Sequence, residues 1–197
     1  MEIILTIIDK LGFVSRSQIQ TIASLKSGRN ALKVIGDMKE YLNVKRHPER
    51  YGENVYYLNQ KGRNYIGSSK ERQYNQTVEH SLLRNDLYIY FQQPRDFLIE
   101  PEVEFGGGLQ RKFVRPDAHF TIDGQDYFVE VDRIQDMSDN KKKISYYSQL
   151  SPIMESSRNK PPILIFFTLT KTRKKLIAAV CQENNVKFQI LSKEEVV

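Results

Sequence analysis

Asp123-Gly124 constrains this chain more than any other pair of its residues. The pair stands between two runs of alternating apolar residues, Phe113–Ile122 and Gln125–Val131. Asp-Gly between such runs is a strong signal for a two-residue hairpin turn. If those residues are the loop, Ile122 pairs with Gln125 and the rest of the register follows. Phe120 then faces Tyr127, Ala118 faces Val129 and Pro116 faces Val131, which makes one apolar face. On the other face His119 meets Phe128, Asp117 meets Glu130 and Arg115 meets Asp132. Opposed side chains have Cβ atoms about 5 Å apart, and Glu130 and Asp132 share a face because strand side chains alternate. Three carboxylates therefore converge. Asp117 and Glu130 repel one another unless something positive lies between them. Arg115 is aligned to offset Asp132, and a hard cation, Mg²⁺ or Mn²⁺, would offset the other two. A solvated polar face with one compensating arginine is the alternative.

The pattern around the hairpin is α/β. A helix is expected over 74–91, then strand-like segments at Phe97–Phe105, Phe113–Ile122 and Gln125–Val131, with the Gly106-Gly107-Gly108 loop between the first two. A helix over Lys141–Leu150, a buried strand at Ile163–Thr168, a helix over Lys171–Glu183 and a last strand at Val186–Leu191 follow. That order predicts a mixed sheet.

Charge separates this part from the N-terminal third. Residues 1–70 hold 12 Lys/Arg and 6 Asp/Glu, whereas residues 71–197 hold 18 of each, so the whole net charge of +6 lies at the front. Such asymmetry points to a polyanion-binding module joined to something else. Ile3, Ile4, Ile7, Ile8 and Leu11 recur at helical spacing and Gly12 ends the run. A second short helix follows from Ser15 or Ser17, and a third runs from about Arg29 to Tyr41. Val44–His47 and Val55–Leu58 then form two strands around a Pro48/Gly52 turn, before a short helix beginning at Lys61-Gly62-Arg63. This order resembles the winged helix-turn-helix family. The resemblance implies that Ser27, Arg29, Asn30 and Lys33 contact the major groove and that Lys45, Arg46 and Arg50 contact phosphates. The small, polar Gly67–Arg72 marks the expected boundary: a winged-helix domain over 1–67, a linker over 68–72 and a second domain over 73–197.

Pro116-Asp117, followed after the hairpin by Glu130-Val131-Asp132, resembles the PD-(D/E)xK motif of restriction-endonuclease-like nucleases. More narrowly, five stretches resemble the replication-relaxation family of plasmids and mobile elements, related to MobC-type relaxases. They are Tyr57–Arg63, Glu79–Leu82, Arg115–Ala118, Phe128–Arg133 and Lys143–Tyr147. The resemblance implies a winged helix followed by a nuclease-like domain. Asp117 and Glu130 would bind a divalent metal, with Glu79 and Asp132 as further candidate ligands. The motif lysine is replaced by Asp132. Arg133 or Lys143 could substitute for it in space, a second metal on Asp132 could take its role, or the site could have stopped cleaving.

Composition excludes other classes. The longest apolar run, Ile163–Phe167, is too short to cross a bilayer. The acid at Glu2 argues against an export signal, and the single cysteine, Cys181, permits no intrachain disulfide. A cytoplasmic protein is expected, with double-stranded DNA as partner and no membrane. The leading reading is a mobile-element DNA-processing protein that binds duplex DNA and acts in replication or conjugative transfer, with nicking at its metal site left open. The competitors are a non-catalytic DNA-binding accessory and an adaptor in a relaxase, replication or transfer complex. Self-association as a homodimer is left open.

Overall fold

The computed structural model describes residues 1–108, 111–133 and 136–196. The chain divides into two compact units, Met1–Gln93 and Pro94–Val197, and the α/β class expected from the sequence holds.

In the first unit, α1 (Glu2–Leu11) buries Leu5, Ile8 and Leu11 and stops at Gly12, where φ is 84°. β1 (Val14–Ser15) leads into α2 (Arg16–Ile22). Ser15 and Gln18 cap α2 reciprocally, each side chain accepting the other's backbone N–H. α3 (Gly28–Asp37) starts at Ser27, whose hydroxyl accepts the Asn30 N–H at 3.2 Å. It is shorter than expected because a 3-10 turn takes over at Lys39–Tyr41. β2 (Leu42–His47) and β3 (Glu53–Leu58) are antiparallel, with Leu42 opposite Leu58 and His47 opposite Glu53. β1 joins the free edge of β3, giving the order β1-β3-β2. α4 (Gln60–Ile66) and α5 (Val78–Tyr90) follow.

α5 corrects the expected boundary. The helix read as the start of the second domain closes the first unit, which runs to Gln93. Its polar residues are buried because they complete bonds there. Arg84 donates to the Leu11 carbonyl at 2.8 Å, and Asn85 donates to the Phe13 carbonyl at 2.8 Å. Gln18 donates to the Leu82 carbonyl at 2.8 Å and to Asp86 at 2.5 Å. Val78 and Leu82 pack with Phe13, Val55 and Tyr57. These bonds give the buried polar side chains of α5 partners inside the first unit.

The second unit is built on a five-stranded mixed sheet. Its strands are β4 (Leu98–Ile99), β7 (Ala118–Ile122), β8 (Gln125–Asp132), β9 (Ile163–Thr168) and β10 (Phe188–Ser192), in the order β10-β9-β8-β7-β4. β5 (Val103–Phe105) and β6 (Lys112–Val114) pair separately. The expected strand Phe113–Ile122 is thus broken between β6 and β7, at Arg115–Asp117, where Pro116 has no N–H to give to a ladder. β7 and β8 are antiparallel in the register the turn dictates, Ile122 opposite Gln125 through Ala118 opposite Val129. Asp123 and Gly124 both have positive φ, 49° and 71°, as the favoured two-residue hairpin turn requires. α6 (Met137–Arg158) crosses from β8 to its parallel neighbour β9, and α7 (Lys171–Glu183) from β9 to its parallel neighbour β10. Phe128, Ile144, Tyr147, Leu164, Phe166 and Ile177 form the core between sheet and helices. A short helix, α8 (Lys193–Val196), ends the described chain. No helix among the described residues is long and apolar enough to cross a membrane.

Gly62 gives a direct test of the first unit. Asn59 caps α4 by accepting the Gly62 N–H at 2.9 Å, and a Cβ on Gly62 would collide with the Tyr41 carbonyl oxygen. Backbone cannot yield as a flexible side chain would. Gly62→Ala is expected to destabilise the protein by roughly 1–3 kcal/mol, read as a lower denaturation midpoint. A midpoint equal to the wild type's would contradict this packing.

Candidate functional site

The hairpin register brings Asp117 to the end of β7, beside β8. Its backbone N–H donates to the Val129 carbonyl at 2.9 Å, and its carboxylate accepts the Val131 N–H at 2.6 Å. Glu130 lies on the face of β8 that α6 covers and is 1% exposed. Two side chains one helical turn apart on α6 reach it. Lys143 Nζ donates to Glu130 Oε2 at 2.6 Å, and the Tyr147 hydroxyl donates to Oε1 at 2.7 Å.

Burial, with Asp117 adding like-charge repulsion, pushes the Glu130 carboxyl up to about 7 against the opposing effect of Lys143 and Tyr147. Burial disfavours the Lys143 ammonium, but the Glu130 and Asp117 carboxylates outweigh it and its pKa is raised. Burial and the Glu130 charge hold the Tyr147 hydroxyl well above its ordinary value, so it remains a donor. The grouping therefore offers a carboxyl that can exchange a proton near neutrality beside a fixed ammonium.

Asp132, also 1% exposed, belongs to a different set. Arg173 of α7 holds it with two bonds, Nε at 2.5 Å and a terminal nitrogen at 2.7 Å, and Asn140 donates to it at 3.0 Å. This corrects the expected Arg115–Asp132 pair. Arg115 lies outside β7 and bonds the exposed Glu102 at 3.4 Å. Arg173 had no signature in sequence. Its position follows from the parallel register, which sets Asp132 opposite Thr168, and from the Thr170 cap, which accepts the Arg173 N–H at 3.3 Å. Of the expected catalytic residues, Asp117, Glu130 and Lys143 come together. Arg133 follows β8 and is partly buried.

Two further expectations are redirected. Glu79 is 3% exposed and accepts from His47 at 2.9 Å and from Arg50 at 3.4 Å, so its carboxylate is engaged inside the first unit. Arg50, expected on phosphate, places a fork on Asp86 at 2.5 and 3.2 Å with its side chain only 10% exposed. Burial works against its charge, but Asp86 and Glu79 overcome that and raise its pKa. Among the described residues, no three His, Cys, Asp or Glu side chains are grouped to hold a metal. Asp117 and Glu130 form a pair only, and both Glu130 oxygens are engaged by Lys143 and Tyr147.

The other expected DNA contacts lie on α3 and the β2–β3 ribbon. Ser27, Arg29, Lys33, Lys45 and Arg46 are exposed, and Asn30 is partly buried. Arg46 Nε donates to the Gly52 carbonyl at 3.1 Å, steadying the turn. Three apolar or aromatic residues are exposed here: Leu32, which helical spacing places in the buried stripe of the third helix, Val44, and Tyr51, the last fully exposed with φ 56°.

No curated protein matches the sequence. The solved structure of protein VC1899 from Vibrio cholerae is similar with a TM-score of 0.42 and 10% identity, over 88% of this chain and 41% of that one. The present chain thus spans about two fifths of that protein's length. A family model described as Replication-relaxation matches residues 5–161, a stretch that includes Asp117, Glu130 and Lys143 and ends before Arg173. The chain therefore belongs to the replication-relaxation family.

Proposed function

We propose that this protein binds duplex DNA through a winged helix in its first unit and nicks it at a divalent-metal site in its second. The observation that carries the second half is the meeting of Asp117, Glu130 and Lys143 at the β7–β8 hairpin. Asp132 stands where a nuclease motif would have lysine, and Lys143 from the next helix brings an ammonium to the same carboxylate. Asp117 and Glu130 would hold the ion. Bound there, Mg²⁺ or Mn²⁺ would polarise a phosphoryl oxygen and make an attacking hydroxide available. Lys143, released from Glu130, would stabilise charge developing on phosphate, and Tyr147 would keep Glu130 oriented from the dry side.

In the first unit, the helix, strand, two helices and two-stranded ribbon from α1 to β3 follow the winged-helix order. Met1–Gln93 holds 14 Lys/Arg against 9 Asp/Glu. Arg29 and Lys33 occupy the exposed side of α3, and Lys45 and Arg46 the exposed side of the ribbon.

A second reading is a DNA-binding accessory protein that no longer cleaves. It is favoured by the engagement of both Glu130 oxygens with side-chain donors and by the lack, among the described residues, of a three-ligand cluster.

Supercoiled plasmid separates the two readings. With millimolar Mg²⁺ or Mn²⁺ the wild type is expected to give open circles, and Asp117→Asn and Lys143→Ala to give none while binding DNA as before. No metal-dependent nicking by the wild type favours the accessory reading.

For the first unit, binding should weaken with salt, with a slope of about −0.9 per phosphate contact in a log–log plot. Lys45→Ala should make that slope shallower by about 1. Arg50→Ala should instead leave Asp86 buried without its cationic partner, with only Gln18 donating to it, and lower stability by roughly 3–5 kcal/mol. Salt-independent binding, or an Arg50→Ala protein of full stability, would contradict these assignments.

A further inference from the structure

Leu32 is an exposed apolar side chain of α3, whose other exposed side chains are Arg29, Lys33 and Asp37. It is 53% exposed, between exposed Arg29 and Lys33 in sequence. It lines two clefts between α3 and the ribbon. One, of about 480 Å³, also takes in Arg16, Tyr51, Asn54 and Tyr56. The other, of about 190 Å³, takes in Gly36, Lys39, Val44 and Tyr56. Val44 is itself 51% exposed. An apolar strip, Leu32–Val44–Tyr56, therefore runs along the ribbon side of α3.

The margin of the strip is cationic. Arg29, Lys33, Lys39 and Lys45 are exposed and carry no ion-pair partner among the described residues. Two carboxylates nearby are engaged, Glu53 by Arg16 at 3.1 Å and by the Ser17 hydroxyl at 2.9 Å, and Glu40 by Lys61, while Asp37 at the end of α3 is exposed. A surface that is apolar in the middle and positive at the margin suits a ligand that is anionic at its edges and carries small apolar groups between them. The major groove of duplex DNA has that character. Phosphates line its edges, and the apolar group on its floor is the C5-methyl of thymine.

We propose that Leu32 reads a thymine methyl group in the major groove and is a specificity-determining residue of this protein. The inference rests on the proposed binding of duplex DNA by the first unit. Arg29 and Lys33 set the helix against phosphates and base edges, and Leu32 then meets the methyl, excluding water from both.

The test uses the full chain. It selects a bound duplex from a random-sequence library, and that duplex is remade with deoxyuridine replacing each thymidine in turn. Each replacement removes one methyl and nothing else. At one or two positions the wild type is expected to lose affinity about three- to tenfold. Leu32→Ala should bind the thymidine and deoxyuridine duplexes alike, whereas Leu32→Met, which keeps an apolar contact, should still distinguish them. The wild-type response needs no variant, so a variant that failed to fold would leave the test intact. If deoxyuridine at every position leaves wild-type affinity unchanged, or Leu32→Ala keeps the full methyl response, the assignment of Leu32 is overturned while DNA binding stands. If the wild type binds no duplex at all, both readings fall. That outcome, joined to capture of an acidic peptide in the same cleft, would make the strip a protein-docking surface instead.

Discussion

Glu130 is a carboxylate almost without access to water, set beside a second carboxylate and held there by Lys143 and Tyr147 from α6. An isolated ionised carboxylate in that position would cost several kcal/mol. Three conditions make it tolerable. The Asp123-Gly124 turn fixes the β7–β8 register, so that Asp117 and Glu130 fall side by side. The crossover helix α6 lies over β8 with Lys143 and Tyr147 one turn apart, so that both reach the same group. The Val131 N–H engages Asp117, so that its charge is partly satisfied by backbone. The carboxyl at Glu130 retains a pKa of about 7. An apolar residue of similar volume would serve stability as well; a perturbed carboxyl beside an ammonium is what the proposed site would need.

Asp132 shows how the same sheet face accommodates another buried carboxylate by other means. Arg173 meets it with a two-pronged pair from the start of α7, and Asn140 adds a third bond. The two acidic groups are therefore answered separately, Glu130 from α6 and Asp132 mainly from α7. The first unit applies the same rule. His47, Arg50, Glu79 and Asp86 form a buried network joining the ribbon to α5, while the cations on α3 and at the middle of the ribbon are left to solvent.

What could be read from sequence was whatever depended on short-range rules. The hairpin register, the strand Ile163–Thr168 and the helix Lys171–Glu183 agree residue for residue with the structure, because turn chemistry and local periodicity decide them. The partnership of Lys143 with the acidic pair was legible as one option among several. Arg115 was misplaced because Pro116 breaks the strand before the register reaches it. Arg173 was invisible because its approach to Asp132 spans 41 residues and depends on a parallel crossover. The boundary after Gly67–Arg72 was misjudged because a polar linker looks the same whether or not the next helix folds back, and α5 is bound by buried polar side chains that hydrophobic periodicity does not register.

The claim that Asp117 and Glu130 form a cation site is tested most directly by paramagnetic broadening in the amide spectrum of the full chain during a Mn²⁺ titration. The account expects the Glu130 and Val131 amides to broaden first, at substoichiometric Mn²⁺, and to stay sharp in Asp117→Asn. Broadening that begins instead at exposed carboxylates such as Glu194, with Glu130 and Val131 unaffected, would contradict it.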